Sequence, residues 1–191
     1  GVWEPIFHPH TGAVIAPIRS GGKWQLAQDG QIIWDQKFVQ LWHQMASPDG
    51  NALAAIVAPK FGRWTVAVDG RPWSVTFKDM VTDAVFSPDG KRVAAAAKND
   101  GHWHIVVDGV VWQNAFDRVW QPVFSPTGEM IAAKIERNGK YSVAVNDRIW
   151  DQAVDVIWDP IFSPESDKMM LRTLKDGIYT RKILSVEEIL H

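Results

Sequence analysis

One short phrase returns five times along the chain, and its spacing constrains the possible folds more than any other feature. It reads Trp3-Glu4-Pro5-Ile6-Phe7-His8-Pro9, then Trp42-His43-Gln44-Met45-Ala46-Ser47-Pro48-Asp49-Gly50, then Thr82-Asp83-Ala84-Val85-Phe86-Ser87-Pro88-Asp89-Gly90. It comes back as Trp120-Gln121-Pro122-Val123-Phe124-Ser125-Pro126-Thr127-Gly128 and as Trp158-Asp159-Pro160-Ile161-Phe162-Ser163-Pro164. The closing prolines Pro9, Pro48, Pro88, Pro126 and Pro164 lie 39, 40, 38 and 38 residues apart. A fixed period near 40, filled with strand-forming residues, is the mark of propeller blades. Units this small cannot bury their own faces and must stack on neighbours. The expectation is an all-β, five-bladed β-propeller of four-stranded antiparallel blades, one domain over 1–191. Its units run over 1–41, 42–81, 82–119, 120–157 and 158–191.

Each unit predicts four strands. In the third they are Ala84 to Ser87, Arg92 to Lys98, Trp103 to Val107 and Val110 to Phe116. Pro88-Asp89-Gly90 supplies a turn in which proline presets φ and glycine takes positive φ without steric cost. Asp108-Gly109 is a strong hairpin signal, repeated at Asp29-Gly30 and Asp69-Gly70 and replaced by Asn146-Asp147 in the fourth unit. The fifth unit is the most degraded, and its last segment, Val186 to Leu190, reads as a fourth strand, with a short helix as the alternative. Runs such as Leu53-Ala54-Ala55-Ile56-Val57 do not alternate apolar with polar, so both faces of each sheet are expected to be covered. Both chain ends coincide with unit ends. Closure of the ring then rests on packing between the first and fifth blades, the alternative being five blades of a larger propeller.

All eleven tryptophans fall into three repeat columns. Trp3, Trp42, Trp120 and Trp158 precede the first strand, with Thr82 the exception. Trp24, Trp64 and Trp103 lie on the third strand, in a column completed by Tyr141 and Tyr179. Trp34, Trp73, Trp112 and Trp150 lie on the fourth. Position in the period therefore predicts every indole, which points to structural filler. Between radiating sheets the gap is narrow at the axis and wide at the rim, which suits alanine-rich second strands and large outer rings, each burying about 150–250 Å².

The Phe-Ser-Pro-Asp-Gly phrase heading a four-strand unit resembles the WD40-like β-propeller repeats of the TolB type, over essentially the whole chain. The Gly-His…Trp-Asp pairing of true WD40 repeats is absent. The tryptophan density is also similar to the tryptophan-rich D subunits of the Tmc transmembrane redox complexes of sulfate-reducing bacteria. That second resemblance implies a cytoplasmic accessory subunit of a membrane-associated electron-transfer complex, with no cofactor of its own. A periplasmic location is the alternative.

Composition narrows the partners. A net charge of −2 provides no basic field for a nucleic acid. No apolar run approaches the roughly 18 residues of a membrane span, so direct insertion is not expected. The absence of cysteine excludes disulfides, thiolate metal sites, covalently attached haem and cysteine-ligated iron–sulfur clusters.

Five residues follow the first tryptophan column, at the expected mouth of the central channel: Glu4, His43, Asp83, Gln121 and Asp159. As a ring they offer a net negative site for a cation, an amine or sugar hydroxyls. A solvated loop is the plainer reading. Paired carboxylates across such a pocket serve glycoside hydrolases, but the links here are too short to shape a substrate pocket, and no catalytic residue is assigned. His8-x-His10 and His102-x-His104 each lack a third ligand, so no metal site is assigned either. Trp3 and Trp158, nearest the seam, are the expected protein contacts. The function expected is a non-enzymatic scaffold for other protein subunits, without a cofactor; the alternative is a carbohydrate- or small-molecule-binding propeller using the channel mouth.

Overall fold

The structure, a computed structural model, describes residues 1–190. It is a five-bladed β-propeller of antiparallel sheets. The first blade holds β1 (Ile6–Phe7), β2 (Val14–Ser20), β3 (Lys23–Gln28) and β4 (Gln31–Ile32) in that order. The second holds β5 (Gln40–Ala46), β6 (Leu53–Lys60), β7 (Arg63–Val68) and β8 (Arg71–Pro72), and the third β9 (Met80–Phe86), β10 (Val93–Asn99), β11 (His102–Val107) and β12 (Val110–Val111). In the fourth, the first strand is split into β13 (Arg118–Val119) and β14 (Val123–Phe124), ahead of β15 (Ile131–Arg137), β16 (Lys140–Val145) and β17 (Arg148–Ile149). The fifth has the same split, β18 (Val156–Ile157) and β19 (Ile161–Phe162), both paired to β20 (Lys168–Lys175), whose other edge carries β21 (Ile178–Ser185).

Proline decides where the first strand breaks. Pro122 and Pro160 have no N–H to give the neighbouring strand, so pairing lapses around them. The second and third blades have no proline there and keep a continuous strand. The extra residue is absorbed by a bulge, with His43 and Asp83 at φ of 50° and 53°. The five residues of the expected ring thus occupy one register position, reached by two different backbone routes.

The turn of the repeated phrase is closed by its own side chains. The buried Ser87 hydroxyl donates to Asp89 Oδ1 at 2.5 Å and accepts from Arg92 N at 3.0 Å, and Ser47 does the same with Asp49 at 2.6 Å and Ala52 N at 2.9 Å. The Ser47 hydroxyl, with the Asn51 amides behind it, holds the Asp49 carboxyl down to about 2. Successive turns nest. A Cβ on Gly90, at φ +72°, would lie 2.6 Å from Asp49 Oδ1 of the preceding blade. The fifth unit has no glycine in this turn, and Ser166 takes the left-handed conformation at φ 65°.

Packing fills four wedges. Leu26, Trp34 and Phe38 join Ala55 and Val57 between the first and second blades, and Phe77 and Val81 join Ala95 and Val106 between the second and third. Trp112 and Phe116 meet Phe124 and Ile131 in the third wedge, and Trp150 and Val154 meet Phe162 and Leu171 in the fourth. Alanines line the centre strands and rings the outer ones, as the taper requires. Each fully buried phenylalanine contributes on the order of 1.5–3 kcal/mol. Among the described residues no such cluster joins the fifth blade to the first, so the packing expected to close the ring is not formed.

Two further expectations are corrected. The fourth strands pair for only two residues, then leave β3, β7, β11 and β16 and return at single bridges such as Trp24–Phe38 and Trp103–Phe116. Polar side chains of the third strands hold the detour: Gln25 Nε2 donates to Trp34 O and Asp35 O, Thr65 Oγ1 to Val75 O, and Ser142 Oγ to Trp150 O. The segment after β21 is a helix, α1 (Glu187–Leu190). A capping box starts it: Ser185 Oγ accepts from Glu187 N at 3.3 Å, while Glu188 Oε1 accepts from Ser185 N at 3.2 Å. Val186 and Ile189 then cover the wedge beside Trp150.

The nested turns give a test. Gly139, at φ +71° with open space around it, isolates the backbone cost, about 1–2 kcal/mol for Gly139→Ala. Gly90→Ala adds displacement of the Asp49 carboxylate and is expected to lose about 1–3 kcal/mol more, read from urea unfolding of both variants.

Candidate functional site

The first tryptophan column pairs with the third-strand column across four of the five sheets. Ring centroids are 6.4 Å apart for Trp3–Trp24, 4.8 Å for Trp42–Trp64, 5.7 Å for Trp120–Tyr141 and 5.7 Å for Trp158–Tyr179. Most of these pairs meet edge to face, the arrangement the ring quadrupole favours. The third blade, with Thr82, has no such pair. Trp34, Trp112 and Trp150 are buried, whereas Trp3 is 56% and Trp158 40% exposed. The structural reading of the indoles holds best for the fourth-strand column, where Trp73 alone is half-buried rather than buried, and loosens toward the first strands.

A cleft of about 330 Å³ opens between the first two blades, lined by Trp3, Glu4, Trp24, Gln40, Leu41, Trp42 and His43. It brings together two residues of the expected ring, Glu4 and His43. The other three are placed elsewhere. Asp83 is half-buried at its bulge, Gln121 is exposed before Pro122, and Asp159 meets Lys134 Nζ at 3.5 Å. His43 Nε2 lies 3.2 Å from Ala84 O of the next blade, and the Gln44 amide donates to Glu4 O. Neighbouring blades are therefore tied at this end through the ring positions themselves.

Lys134 was not singled out by sequence. Its ammonium lies 4.3 Å from the centroid of Trp120 and 3.5 Å from Asp159 Oδ1, and its side chain is only 17% exposed. The signal available was its place: the register-equivalent residues on the second strands of the first three blades are Pro17, Ile56 and Ala96, none of them charged.

The histidine pairs do other work. His8 Nε2 lies 2.8 Å from Gly50 O and His10 Nε2 3.0 Å from Pro48 O, so both rings latch the first blade to the turn of the second. His102 is exposed, but His104 is half-buried in the column that holds the fourth-strand detour. Among the described residues, no group of three or more His, Asp or Glu side chains is placed to hold a metal ion. No helix among the described residues is long and apolar enough to cross a membrane.

No family model matches the sequence, and no curated protein matches it. Solved structures are similar in fold. A protein assigned as TolB from Agrobacterium tumefaciens is 16% identical with a TM-score of 0.46, covering 98% of this chain and 78% of that one. TolB from Acinetobacter baumannii is 16% identical with a TM-score of 0.49, covering 96% and 49%, and the Dos1 propeller 15% identical at 0.48, covering 93% and 52%. The chain thus spans about half the length of two of these three. Their likeness concerns the propeller fold alone.

Burial pushes the His104 imidazole below its usual value of 6.5, with the nearby backbone of Asn114 and Trp112 acting in the opposite direction. The native state therefore binds this proton later than the unfolded chain as pH falls. Stability is full above 6.5 and declines as pH drops through 6.5 toward the lowered native value. His104→Gln is expected to flatten that decline, measured by urea unfolding at a series of pH values.

Proposed function

We propose that the chain is a non-enzymatic scaffold that binds other proteins through the outward faces of its end blades. One observation carries the reading. Val2 is 68% exposed, while its register equivalents Leu41, Val81, Val119 and Ile157 are 3%, 2%, 5% and 3% exposed, each packed on the preceding blade. Phe7 follows suit at 74%, against 9% for Phe124 and 9% for Phe162. The first blade thus presents the face that every other blade buries. Apolar surface of this kind marks a protein contact.

The fifth blade presents the opposite face, with Ile161, Ile183, Trp158 and Tyr179 exposed. In register, Arg172 stands directly across from Arg181, and Arg172 Nε is buried without a hydrogen-bond partner. Like charges opposite each other in a sheet are unfavourable. The same position one blade earlier is Lys134, which takes Asp159 from the next blade. A partner surface that offers a carboxylate to Arg172 beside apolar side chains fits this face.

The narrower role, accessory subunit of a membrane-associated electron-transfer complex, rests on the resemblance in tryptophan density to the Tmc D subunits. A second reading, a small-molecule or carbohydrate site at the channel mouth, is favoured by the three indoles around the Glu4 cleft.

The test compares capture from the native source on immobilised wild-type chain and on a Phe7→Asp, Ile183→Asp variant. The expected result is a defined partner retained by the first and lost on the second. Membrane redox subunits in that fraction support the narrower role. Identical profiles on both, from a variant with unchanged circular dichroism, end the scaffold reading.

A further inference from the structure

The wedge between the fourth and fifth blades shows how a column tryptophan and a carboxylate hold a cation in this fold. Between the fourth and fifth blades, a tryptophan of the first column and a carboxylate enclose an ammonium: Trp120, Asp159 and the chain's own Lys134. Between the first and second blades the column tryptophan is Trp3, but the position of Lys134 is taken by Pro17, which supplies no cation. What remains is the open cleft beside Glu4.

Its walls suit a cation better than those around Lys134. Trp3 and Trp24 meet at 88°, a right-angled corner of two indoles, and Trp42 adds a third ring. The face of an indole attracts a cation, by about 0.5–2 kcal/mol according to desolvation. Arg19 already rests 5.9 Å from the Trp24 centroid, so this ring accepts positive charge from the protein itself. The Glu4 carboxylate supplies a counter-charge from the first blade itself, whereas the register equivalent of Asp159 on the following blade is here His43. When neutral, His43 donates through Nε2 to Ala84 O, and its Nδ1 is left as an acceptor.

We propose that the cleft of Trp3, Trp24, Trp42 and Glu4 binds an alkylammonium group, the chemistry of a lysine side chain or a small free amine. Glu4 pairs with the charge, the indoles enclose the alkylated nitrogen, and Gln40 and His43 close the polar side. The inference rests on the cleft and not on the outward faces, so it can fail while the scaffold reading stands.

The test is titration of the full chain with n-butylammonium and tetramethylammonium chloride, followed by intrinsic tryptophan fluorescence at constant ionic strength. Both are expected to give a saturable change, while butan-1-ol, the neutral counterpart of n-butylammonium, gives none. Glu4→Gln is expected to weaken binding about tenfold, the loss of one charge partner, and Trp3→Ala to abolish it. Phe61→Ala, at an exposed hairpin tip, leaves it unchanged. Trp3 is itself exposed, so its variant keeps the fold, checked by circular dichroism. A blocked lysyl tripeptide binding tighter than n-butylammonium assigns the ligand to a protein chain; weaker binding assigns it to a free amine. No saturable signal, equal response to the neutral alcohol, or an unaffected Glu4→Gln variant overturns the proposal.

Discussion

Everything in this molecule depends on the burial of one sheet face against the next. A four-stranded unit of about 40 residues has two apolar faces and no means of covering either alone. The wedge between neighbours sets which residues can serve: alanines such as Ala94 to Ala97 where sheets converge, and rings such as Trp34, Phe38 and Phe116 where they spread. The nested turns add a second, polar contact between the same neighbours, with Asp49 filling the space that Gly90 leaves by having no side chain. Hydrogen bonds from His8, His10 and Gln44 tie the first blade to the second in the same way.

Much of this was legible in the sequence because the period repeats the same physical demand. Asp89 closes its turn through Ser87, and the hairpin aspartates Asp29, Asp69 and Asp108 accept from the first N–H of the adjacent strand. The departures had local causes. The fourth strands were read as continuous because Val110 to Phe116 has strand composition, whereas Gln25, Thr65 and Ser142 compete for the backbone carbonyls of that strand. The helix at Glu187–Leu190 did have a signal, the Ser185…Glu188 capping box, which was outweighed by the β-branched residues around it.

The candidate site was legible only in part. Glu4, His43, Asp83, Gln121 and Asp159 share one place in the period, but position in a period says nothing of which members share a cleft. Glu4 and His43 do so because Trp3 and Trp42 flank the same wedge, while Asp159 is drawn to Lys134. A cross-blade ion pair cannot be read from either repeat alone. It needs the offset between neighbouring sheets, which only packing supplies.

The open outward faces carry a consequence for how the molecule breathes. Interior blades are held on two sides and the end blades on one, so opening free energy is graded along the chain. Within the described residues, Val2 and Phe7 are bare on the first blade, so its opening is expected to cost less than that of a blade packed on both sides such as the one carrying Val93–Asn99. A ligand lodged between the first two blades would therefore do more than occupy a cleft. By bridging a joint of lower opening cost, it would slow fraying of the whole array from that end.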